Sequence, residues 1–274
     1  MSSETDSRSG DPLFSVKDSV VVVTGGLGQL GTQYALALAT RGANVAIVDS
    51  AVDEQSVAAR FGAPSERDRL MFLKADITDR GSLDRALEAI QNRWGAPHAL
   101  INNAALDSPP DAPVSENGPF ETYSEASFDR VMAVNVKGTA LSCQVFGGRM
   151  AQERRGSIVN ISSIYGLVSP DQRVYTEGFF KPVAYSASKS AIFNLTRYLA
   201  TYWASSGVRV NTLTLAGVFN HQNPEFLAAY EARIPIARMA RADEYCGAIL
   251  FLVSAASSYM TGSNMVVDGG WTAW

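Results

Sequence analysis

Buried-strand patterns alternate with helical patterns along most of the chain. Ser19–Val23 is a continuous apolar, β-branched run, which is typical of a strand covered on both faces of a parallel sheet. A helical pattern follows over about Gln29–Arg41, and Asn44–Val48 is a second apolar run that closes on Asp49. This order predicts a βαβ unit at the start of the fold.

The alternation continues to the end of the chain. Further strands are predicted at Leu70–Ala75, Ala99–Ile101, Ser157–Ile161, Val208–Leu215 and Met265–Val267. Further helices are predicted at Ser82–Trp94, with Ser82 as N-cap, and at Ser127–Gln152, Tyr185–Ser205, Pro224–Arg233 and Asp243–Ser254. Two segments rich in loop-forming residues separate them, Leu106–Tyr123 and Leu167–Val183. The pattern predicts one doubly wound α/β domain over residues 17–274, a Rossmann-type parallel sheet with helices on both faces.

A glycine-rich turn joins the first strand to the first helix. It reads Thr24-Gly25-Gly26-Leu27-Gly28-Gln29-Leu30-Gly31. Glycines let a backbone approach a pyrophosphate, and the helix N-terminus offers free N–H groups and a positive dipole end. Asp49 lies about 20 residues beyond the turn, where a carboxylate can accept hydrogen bonds from both ribose hydroxyls of an adenosine. We therefore expect NAD to be preferred over NADP.

The composition excludes several classes of protein. The 274 residues are 46% hydrophobic with a formal charge of −4 and no dense Lys/Arg run, so no nucleic-acid partner is expected. Cys143 and Cys246 have no CxxC partner and are predicted to be buried thiols rather than a disulfide or zinc site. Only His98 and His221 are available as histidine ligands, so no metal is expected.

The start of the chain is polar and rich in serine. Met1–Asp11 lacks a basic region followed by an apolar one, and we expect residues 1–16 to form a loose tail. No apolar run approaches the length that spans a membrane. We therefore expect a soluble, cytoplasmic protein without a membrane partner.

Tyr185 and Lys189 are four residues apart in a predicted helix and so lie on one face of it. A free tyrosine has a pKa of about 10, and a nearby ammonium favours the phenolate and lowers that pKa. A tyrosine tuned in this way can exchange a proton with an oxygen while a hydride moves at the neighbouring carbon. The alternative is an ordinary solvated helix face.

In combination, these motifs resemble the short-chain dehydrogenase/reductase family from Ser19 to Trp274. The resemblance rests on the glycine-rich turn, Asp76, Asn102-Asn103-Ala104-Ala105, Asn135-Val136-Lys137-Gly138, Ser163, Tyr185 with Lys189, and Val266-Val267-Asp268-Gly269-Gly270. Each piece is modest alone, whereas their joint order and spacing are specific.

The resemblance implies a catalytic set of four residues. Tyr185 would be the acid–base catalyst, and Lys189 would lower its pKa and bind the nicotinamide ribose. Ser163 would hold the substrate oxygen, and Asn135 would order a water that connects Lys189 to a proton relay. Asn135 could instead tie a helix to a strand. Ser162 is a rival for Ser163, but it points to the opposite side if the strand continues.

The resemblance also implies an extended cofactor site. Asp76 and Ile77 would flank the adenine, although Asp76 could simply cap a turn, and Asn103 and Ala104 would lie along the cofactor. The complete predicted set is Gly25, Gly28, Gln29, Leu30, Gly31, Asp49, Asp76, Ile77, Asn103, Ala104, Tyr185, Lys189 and Val218.

The chain departs from the family pattern at several positions. Gln29 stands where single-domain members have glycine, so the turn itself resembles the longer branch of the family. The short C-terminus and the ending Val267-Asp268-Gly269-Gly270 instead resemble the single-domain branch. Ala105 replaces a glycine, Ala216 a proline and His221 a threonine. The spacing from Ser163 to Tyr185 is longer than usual, and the extra residues fall in the Leu167–Val183 segment, which should overhang the substrate.

The predicted activity is that of an NAD-dependent enzyme interconverting a secondary alcohol and a ketone. Segment 218–223 is dense in hydrogen-bonding side chains, and Arg173 and Lys181 add positive charge to Leu167–Val183. A polar and perhaps anionic substrate, such as a sugar, a sugar acid or an activated sugar, is therefore favoured. The alternatives are a 3-oxoacyl-thioester reductase and a nucleotide-sensing binding protein without turnover.

The resemblance further implies a homodimer or homotetramer. Helices Ser127–Gln152 and Tyr185–Ser205 would pair with their copies across two-fold axes. The apolar end, Trp271–Trp274, suits a subunit contact better than free solvent.

Overall fold

Seven parallel strands form one sheet at the centre of the molecule. The computed structural model describes residues 11–62, 67–107 and 113–274. In chain order the strands are β1 Val20–Thr24, β2 Asn44–Asp49, β3 Leu70–Lys74, β4 Ala99–Asn102, β5 Gly156–Ser163, β6 Val208–Leu215 and β7 Asn264–Val267. Each predicted strand is confirmed, with ends that differ by at most two residues.

Helices cover both faces of the sheet. The major ones are α1 Gln29–Ala39, α2 Glu54–Phe61, α3 Arg80–Trp94, α4 Val114–Asn117, α5 Glu125–Met132, α6 Thr139–Ser142, α7 Gly148–Gln152, α8 Ile164–Leu167, α9 Val183–Trp203, α10 Pro224–Glu231 and α11 Cys246–Val253. Two π-helical segments, Ala133–Gly138 and Cys143–Gly147, join α5, α6 and α7 into one long helical element. The predicted helix Ser127–Gln152 corresponds to that element.

From β1, the chain adds strands first toward one edge of the sheet and then, beginning with β4, toward the other edge. The order is β3-β2-β1-β4-β5-β6-β7, and Val21 pairs in parallel register with Val45 of β2 and with Ala99 of β4. Parallel strands require crossover connections, which place the helices on the faces of the sheet. Such a reversal opens a crevice at the carboxyl ends of β1 and β4, where doubly wound folds bind their ligands.

Alternate residues of β1 enter two separate cores. Val21 and Val23 pack with α1, α2 and α11, whereas Val20 and Val22 pack with α3, α9 and the long helical element. All four valines are at most 1% exposed. Because both faces of β1 are covered, the strand needs a continuous apolar run instead of an alternating one. The predicted doubly wound architecture is confirmed.

The start of α3 differs from the prediction. The helix begins at Arg80, and Asp79 is the N-cap, since its carboxylate accepts a hydrogen bond of 3.0 Å from the Gly81 N–H. Ser82 lies inside the first turn, and its hydroxyl accepts a hydrogen bond of 3.1 Å from the backbone N–H of Asp76. Both side chains are N-cap types, and only the fold decides which one serves.

Ordered structure also occurs where none was predicted. Helix α2 begins after Asp53, whose carboxylate caps it by accepting a hydrogen bond of 2.7 Å from the Ser56 N–H. In the expected tail, residues 1–10 lie outside the described residues, whereas Pro12–Phe14 forms a 3₁₀ turn and Val16 is 2% exposed in the core. The predicted tail is therefore too long at its C-terminal end.

The two predicted loops contain short helices. Val114–Asn117 and a 3₁₀ turn at Phe120–Thr122 lie in the first, and a 3₁₀ turn at Gln172–Val174 lies in the second. No helix within residues 11–62, 67–107 and 113–274 is both long and apolar enough to cross a bilayer. Cys143, which is buried, and Cys246, which is half-buried, are both free thiols.

Candidate active site

A cleft of about 690 Å³ opens at the carboxyl ends of the central strands. Its floor includes Ser163 at the end of β5, and its side includes Tyr185 and Lys189 from the first turns of α9. Gln29 and Val218 reach it from the glycine-rich turn and from the segment after β6. The cleft therefore brings together residues from distant parts of the chain, from Gln29 to Met239.

Helix α9 places the tyrosine and the lysine one turn apart. The Lys189 ammonium is 5.8 Å from the centroid of the Tyr185 ring and donates a hydrogen bond of 3.0 Å to the carbonyl of Ile161. Lys189 is 5% exposed, so its charge is held inside the protein. The predicted shared face of Tyr185 and Lys189 is confirmed, and it faces the cleft instead of bulk solvent.

The pKa values of the pair differ from the expectation. Burial raises the pKa of Tyr185 above its ordinary value, the Asp107 carboxylate raises it further, and a hydrogen bond from Ser163 lowers it. Burial lowers the pKa of Lys189 to about 8, and Asp107 opposes that change. The pKa of Tyr185 is therefore raised in this structure instead of lowered, because burial penalises the charged form of the phenol.

Ser163 and Ser162 point in opposite directions, as the period of a strand requires. Ser163 hydrogen-bonds to Tyr185, and its hydroxyl accepts a hydrogen bond of 3.2 Å from the Tyr165 N–H. The Ser162 hydroxyl instead donates a hydrogen bond of 2.8 Å to the carbonyl of Lys189, which fastens α9 to the sheet. Of the two serines, only Ser163 contacts the reactive tyrosine.

Asn135 lies in the π-helical segment Ala133–Gly138 and is 2% exposed. Its side-chain oxygen accepts a hydrogen bond of 2.7 Å from the Leu106 N–H, and its amide donates to the Leu106 carbonyl at 3.0 Å and to the Ser188 hydroxyl at 2.9 Å. The side chain thus ties the long helical element to α9 and to the segment after β4. π-Helical segments occur frequently at functional sites.

The glycine-rich turn packs too closely for side chains. Gly25 has a φ of +62°, and a Cβ on it would lie 2.7 Å from the Cα of Ala104. A Cβ on Gly31 would lie 2.3 Å from the carbonyl oxygen of Gly25. Helix α1 begins after Gly28, which offers no side-chain cap to its N–H groups. This turn fits a pyrophosphate, because the backbone is bare and the helix N-terminus is open to an anion.

Polar side chains hold this turn in place. The Asn103 amide donates hydrogen bonds of 2.9 Å to the Gly25 carbonyl and 3.2 Å to the Thr24 carbonyl. The Thr24 hydroxyl accepts from the N–H groups of Asn103 and Ala104, at 3.1 and 3.2 Å. Sequence reasoning missed this role of Thr24, although a hydroxyl residue that ends a run of four valines was a usable signal.

Asp49 ends β2 next to the turn. One of its carboxylate oxygens accepts a hydrogen bond of 3.1 Å from the Leu27 N–H, and the other accepts one of 3.0 Å from the Ala51 N–H. These bonds hold a negative charge beside the turn, where the expected adenosine ribose would lie.

Gln29 connects two parts of the cleft. Its amide donates a hydrogen bond of 2.8 Å to the carbonyl of Phe219, and Phe219 in turn pairs with Ala240 through a backbone hydrogen bond of 2.9 Å. Gln29 therefore fastens the glycine-rich turn to the segment after β6, next to Val218. This bond gives a physical reason for glutamine at a position where the family has glycine.

Asp76 and Ile77 lie outside the lining of the cleft, beyond the end of β3. The Asp76 carboxylate accepts hydrogen bonds of 2.8 Å from both the N–H and the hydroxyl of Thr78, so it caps a turn. Ile77 is 7% exposed and supports the long helical element, since a Cβ on Gly138 would lie 2.6 Å from its Cδ1.

The two cations of the Leu167–Val183 segment have different surroundings. The Arg173 side chain is 79% exposed, is bound by Asp171 at 2.8 Å and does not line the cleft. Lys181 is 8% exposed, lines the cleft, forms an ion pair with Asp107, and places its ammonium 4.6 Å from the Tyr185 ring centroid. Sequence reasoning missed Asp107, because its partner is 74 residues away.

Aromatic rings form one wall of the site. The Tyr175 hydroxyl donates a hydrogen bond of 3.0 Å to the Tyr165 hydroxyl, and the Tyr230 hydroxyl accepts one of 2.8 Å from the Gly217 N–H. Trp271 packs behind this wall at 4.3 Å between ring centroids from Tyr230 and is 8% exposed. The apolar end Trp271–Trp274 was expected to form a subunit contact. Trp271 is instead packed inside the protein, whereas Trp274 is 81% exposed.

Some polar side chains of the segment after β6 form hydrogen bonds within the segment and to the start of α10. The Gln222 amide donates a hydrogen bond of 2.7 Å to the Val218 carbonyl, and the Asn223 side chain caps α10 by accepting one of 2.8 Å from the Glu225 N–H. Asn220 and His221 line the cleft, and His221 adopts a left-handed φ of +56°. Fewer polar side chains are thus available to a substrate than the sequence predicted.

Known proteins are similar to this chain over almost its whole length. A family model described as Enoyl-(Acyl carrier protein) reductase matches residues 28–272. The chain is 32% identical to the D-threitol dehydrogenase of Mycolicibacterium smegmatis, over 94% of this chain and 95% of that relative. A short-chain dehydrogenase from Leptospira borgpetersenii with bound NAD⁺ is 31% identical, with a TM-score of 0.82 and 94% coverage of each chain.

A second solved structure has a different cofactor. The gluconate 5-dehydrogenase from Burkholderia cenocepacia, in complex with NADP and tartrate, is 25% identical with a TM-score of 0.83, over 96% of this chain and 98% of that one. The matched lengths, the strand order and the glycine-rich turn all support one family assignment for the chain. It belongs to the short-chain dehydrogenase/reductase family and is an oxidoreductase that acts on CH–OH groups.

Proposed function

We propose that the protein is an NAD-dependent dehydrogenase that interconverts a secondary alcohol and a ketone in a small polyhydroxylated substrate. The observation that carries this proposal is the convergence of the Tyr185 phenol, the Ser163 hydroxyl and the Lys189 ammonium in one cleft beside the glycine-rich turn. A protein that only sensed nucleotides would not need these three groups together.

The residues around the turn fit a dinucleotide. The bare backbone of Gly25–Gly31 and the uncapped start of α1 would hold the pyrophosphate, and Asp49 would accept hydrogen bonds from the adenosine ribose. Lys189 and Tyr185, which line the cleft, would contact the nicotinamide ribose. When bound, the nicotinamide supplies the hydride acceptor or donor for the reaction.

The protein's own residues handle the proton. In the oxidation direction, Ser163 and Tyr185 hydrogen-bond to the substrate hydroxyl, and Tyr185 accepts its proton. Lys189 stabilises the phenolate that results, since an ammonium 5.8 Å from the ring favours the charged form. Asn135 fixes the backbone of Leu106 and the hydroxyl of Ser188, and so holds α9 and the segment after β4 in register.

The cleft favours a hydroxylated substrate. Its lining includes the polar side chains of Asp107, Asn220 and His221 and the aromatic side chains of Tyr165 and Tyr175. Pockets of this kind take small molecules whose polar groups are matched by a few placed side chains. The relatives named above act on a tetritol and on a sugar acid, which agrees with a polyol or sugar substrate.

A substrate panel tests the proposed function. Turnover is measured with NAD on polyols and sugar acids, and with NADH on 3-oxoacyl thioesters. We expect the highest kcat/KM for a polyol or sugar. Good turnover of thioesters with none on hydroxylated substrates would instead support the thioester reductase, and no turnover on the full panel would support a binding protein.

Asp49 should decide between the two nicotinamide cofactors. Its fixed carboxylate repels the extra phosphate of NADP, and Ser50 and Ala51 beside it carry no compensating charge. In the wild type we expect a higher kcat/KM with NAD, and Asp49→Ser should shift the NAD/NADP ratio toward NADP by about 10- to 100-fold. Asp84→Ser, which removes an exposed carboxylate from α3, is the control. A wild type that prefers NADP would contradict this role of Asp49.

We also propose that the protein assembles as a homodimer or homotetramer. Tyr198 and Tyr202 on α9 are 63% and 64% exposed and stack on each other with ring centroids 6.0 Å apart. Two adjacent exposed rings are characteristic of an interface, since aromatic residues are enriched there. Light scattering at micromolar concentration should give a multiple of the 29.4 kDa chain mass. Tyr198→Ser with Tyr202→Ser should lower that mass, whereas a monomeric wild type would refute the assembly.

A further inference from the structure

The cleft contains a carboxylate that the reaction itself does not use. Among the described residues that line the cleft, Asp107 carries the carboxylate, and Lys181 and Lys189 carry the ammonium groups. The Asp107 side chain retains 52% of its surface exposed, whereas its partner Lys181 retains 7%. The carboxylate therefore faces the open cleft, while the ammonium is held inside the wall.

Lys181 is positioned by groups on three sides. Its backbone N–H donates a hydrogen bond of 2.9 Å to the side-chain oxygen of Gln172, its ammonium lies 4.6 Å from the Tyr185 ring centroid, and it forms the ion pair with Asp107. Ammonium groups are attracted to aromatic rings at this distance. Lys181 thus anchors Asp107 next to the reactive tyrosine.

Asp107 is close to the reacting atoms. Its charge raises the pKa of both Tyr185 and Lys189, which places it within electrostatic reach of the two groups that handle the proton. The Asp107 side chain lines the cleft with 52% of its surface exposed, so its carboxylate oxygens are accessible to a hydrogen-bond donor in the cleft. Charge-assisted hydrogen bonds are about twice as strong as neutral ones.

We propose that Asp107 is the specificity-determining residue of the site, accepting a hydrogen bond from a substrate hydroxyl adjacent to the reacting CH–OH group while Lys181 holds it in place. The inference rests on the proposed function and names the feature of the substrate that is recognised. An alcohol that lacks the second hydroxyl leaves the carboxylate desolvated without a new partner, and sites built to bind a hydroxyl reject such analogues.

Two substrates of equal carbon number test the inference. D-threitol carries neighbouring hydroxyls, whereas 2-butanol carries only the reacting one. We expect the ratio of kcat/KM for D-threitol to that for 2-butanol to fall about 10- to 100-fold in Asp107→Asn. Lys181→Met should lower the same ratio, because Asp107 loses its anchor, and Lys181→Arg should restore part of it.

The control is Arg173→Met, which removes a cation from the same segment outside the cleft and leaves Asp171 paired with Arg233 at 2.7 Å. It should leave the ratio unchanged. Should Asp107→Asn fail to fold because Lys181 is then buried without its counterion, the double variant Asp107→Asn with Lys181→Met removes both charges and should show the same fall. NAD affinity and thermal unfolding of each variant verify that the fold and the cofactor site are intact.

The outcomes are distinguishable. A ratio that is unchanged in folded Asp107→Asn would overturn the inference while leaving the proposed function standing. An equal loss on both alcohols would also overturn it, since Asp107 would then act on Tyr185 instead of on the second hydroxyl. Failure of the wild type on both alcohols and on the full panel of polyols and sugar acids would overturn the proposed function and this inference with it.

Discussion

Tyr185→Phe should lower the rate of alcohol oxidation by about 10²- to 10⁴-fold, the usual cost of losing one acid–base group. The substitution keeps the ring and removes only the hydroxyl that contacts Ser163. Because burial raises the pKa of this phenol, the folded protein holds a neutral group there, and phenylalanine fills the same space. We therefore expect the fold and NAD binding to survive.

The measurement is turnover and NAD affinity on the same sample. Tyr259→Phe is the matched control, since it is the same substitution at a fully exposed residue outside the cleft. It should retain wild-type turnover. If Tyr185→Phe binds NAD and still turns over at near wild-type rate, Tyr185 is not the acid–base catalyst, and the resemblance to the family would have misplaced the chemistry.

Lys189→Met should abolish most turnover and weaken NAD binding, yet raise thermal stability at neutral pH. The ordinary lysine pKa of 10.5 falls to about 8 in the folded protein because the ammonium is buried. Between these pH values the unfolded chain binds more protons than the folded one, so stability rises with pH across that window. Below about pH 8 the buried charge lowers stability by a constant amount.

Thermal unfolding at pH 7 and pH 10 measures this effect. Methionine removes the buried charge, so the melting temperature at pH 7 should rise, by about 2–4 °C for each kcal/mol gained. The advantage over the wild type should shrink at pH 10, where lysine in the folded protein is already neutral. Lys74→Met, at an exposed position at the end of β3, should change neither activity nor the pH dependence. A variant that is less stable at pH 7 and retains turnover would contradict both roles of Lys189.

The alternation of strands and helices could be predicted from the sequence alone. A strand buried on both faces must be apolar throughout, and β1 shows this in its four valines. The glycine-rich turn, Asp49 at the end of β2 and the spacing of Tyr185 and Lys189 depend on local geometry, so their placement could be predicted. The choice of Ser163 over Ser162 followed from the two-residue period of a strand.

The tertiary structure decided what depends on distant contacts. The ion pair of Asp107 with Lys181 joins residues 74 positions apart, and the hydrogen bond from Gln29 to Phe219 spans 190. No local pattern encodes such pairs. The pKa direction of Tyr185 belongs here as well, because burial is a property of the folded chain and raises the pKa of the phenol. Likewise Trp271, apolar and near the C-terminus, is internal because Tyr230 and Tyr165 pack against it in the folded chain.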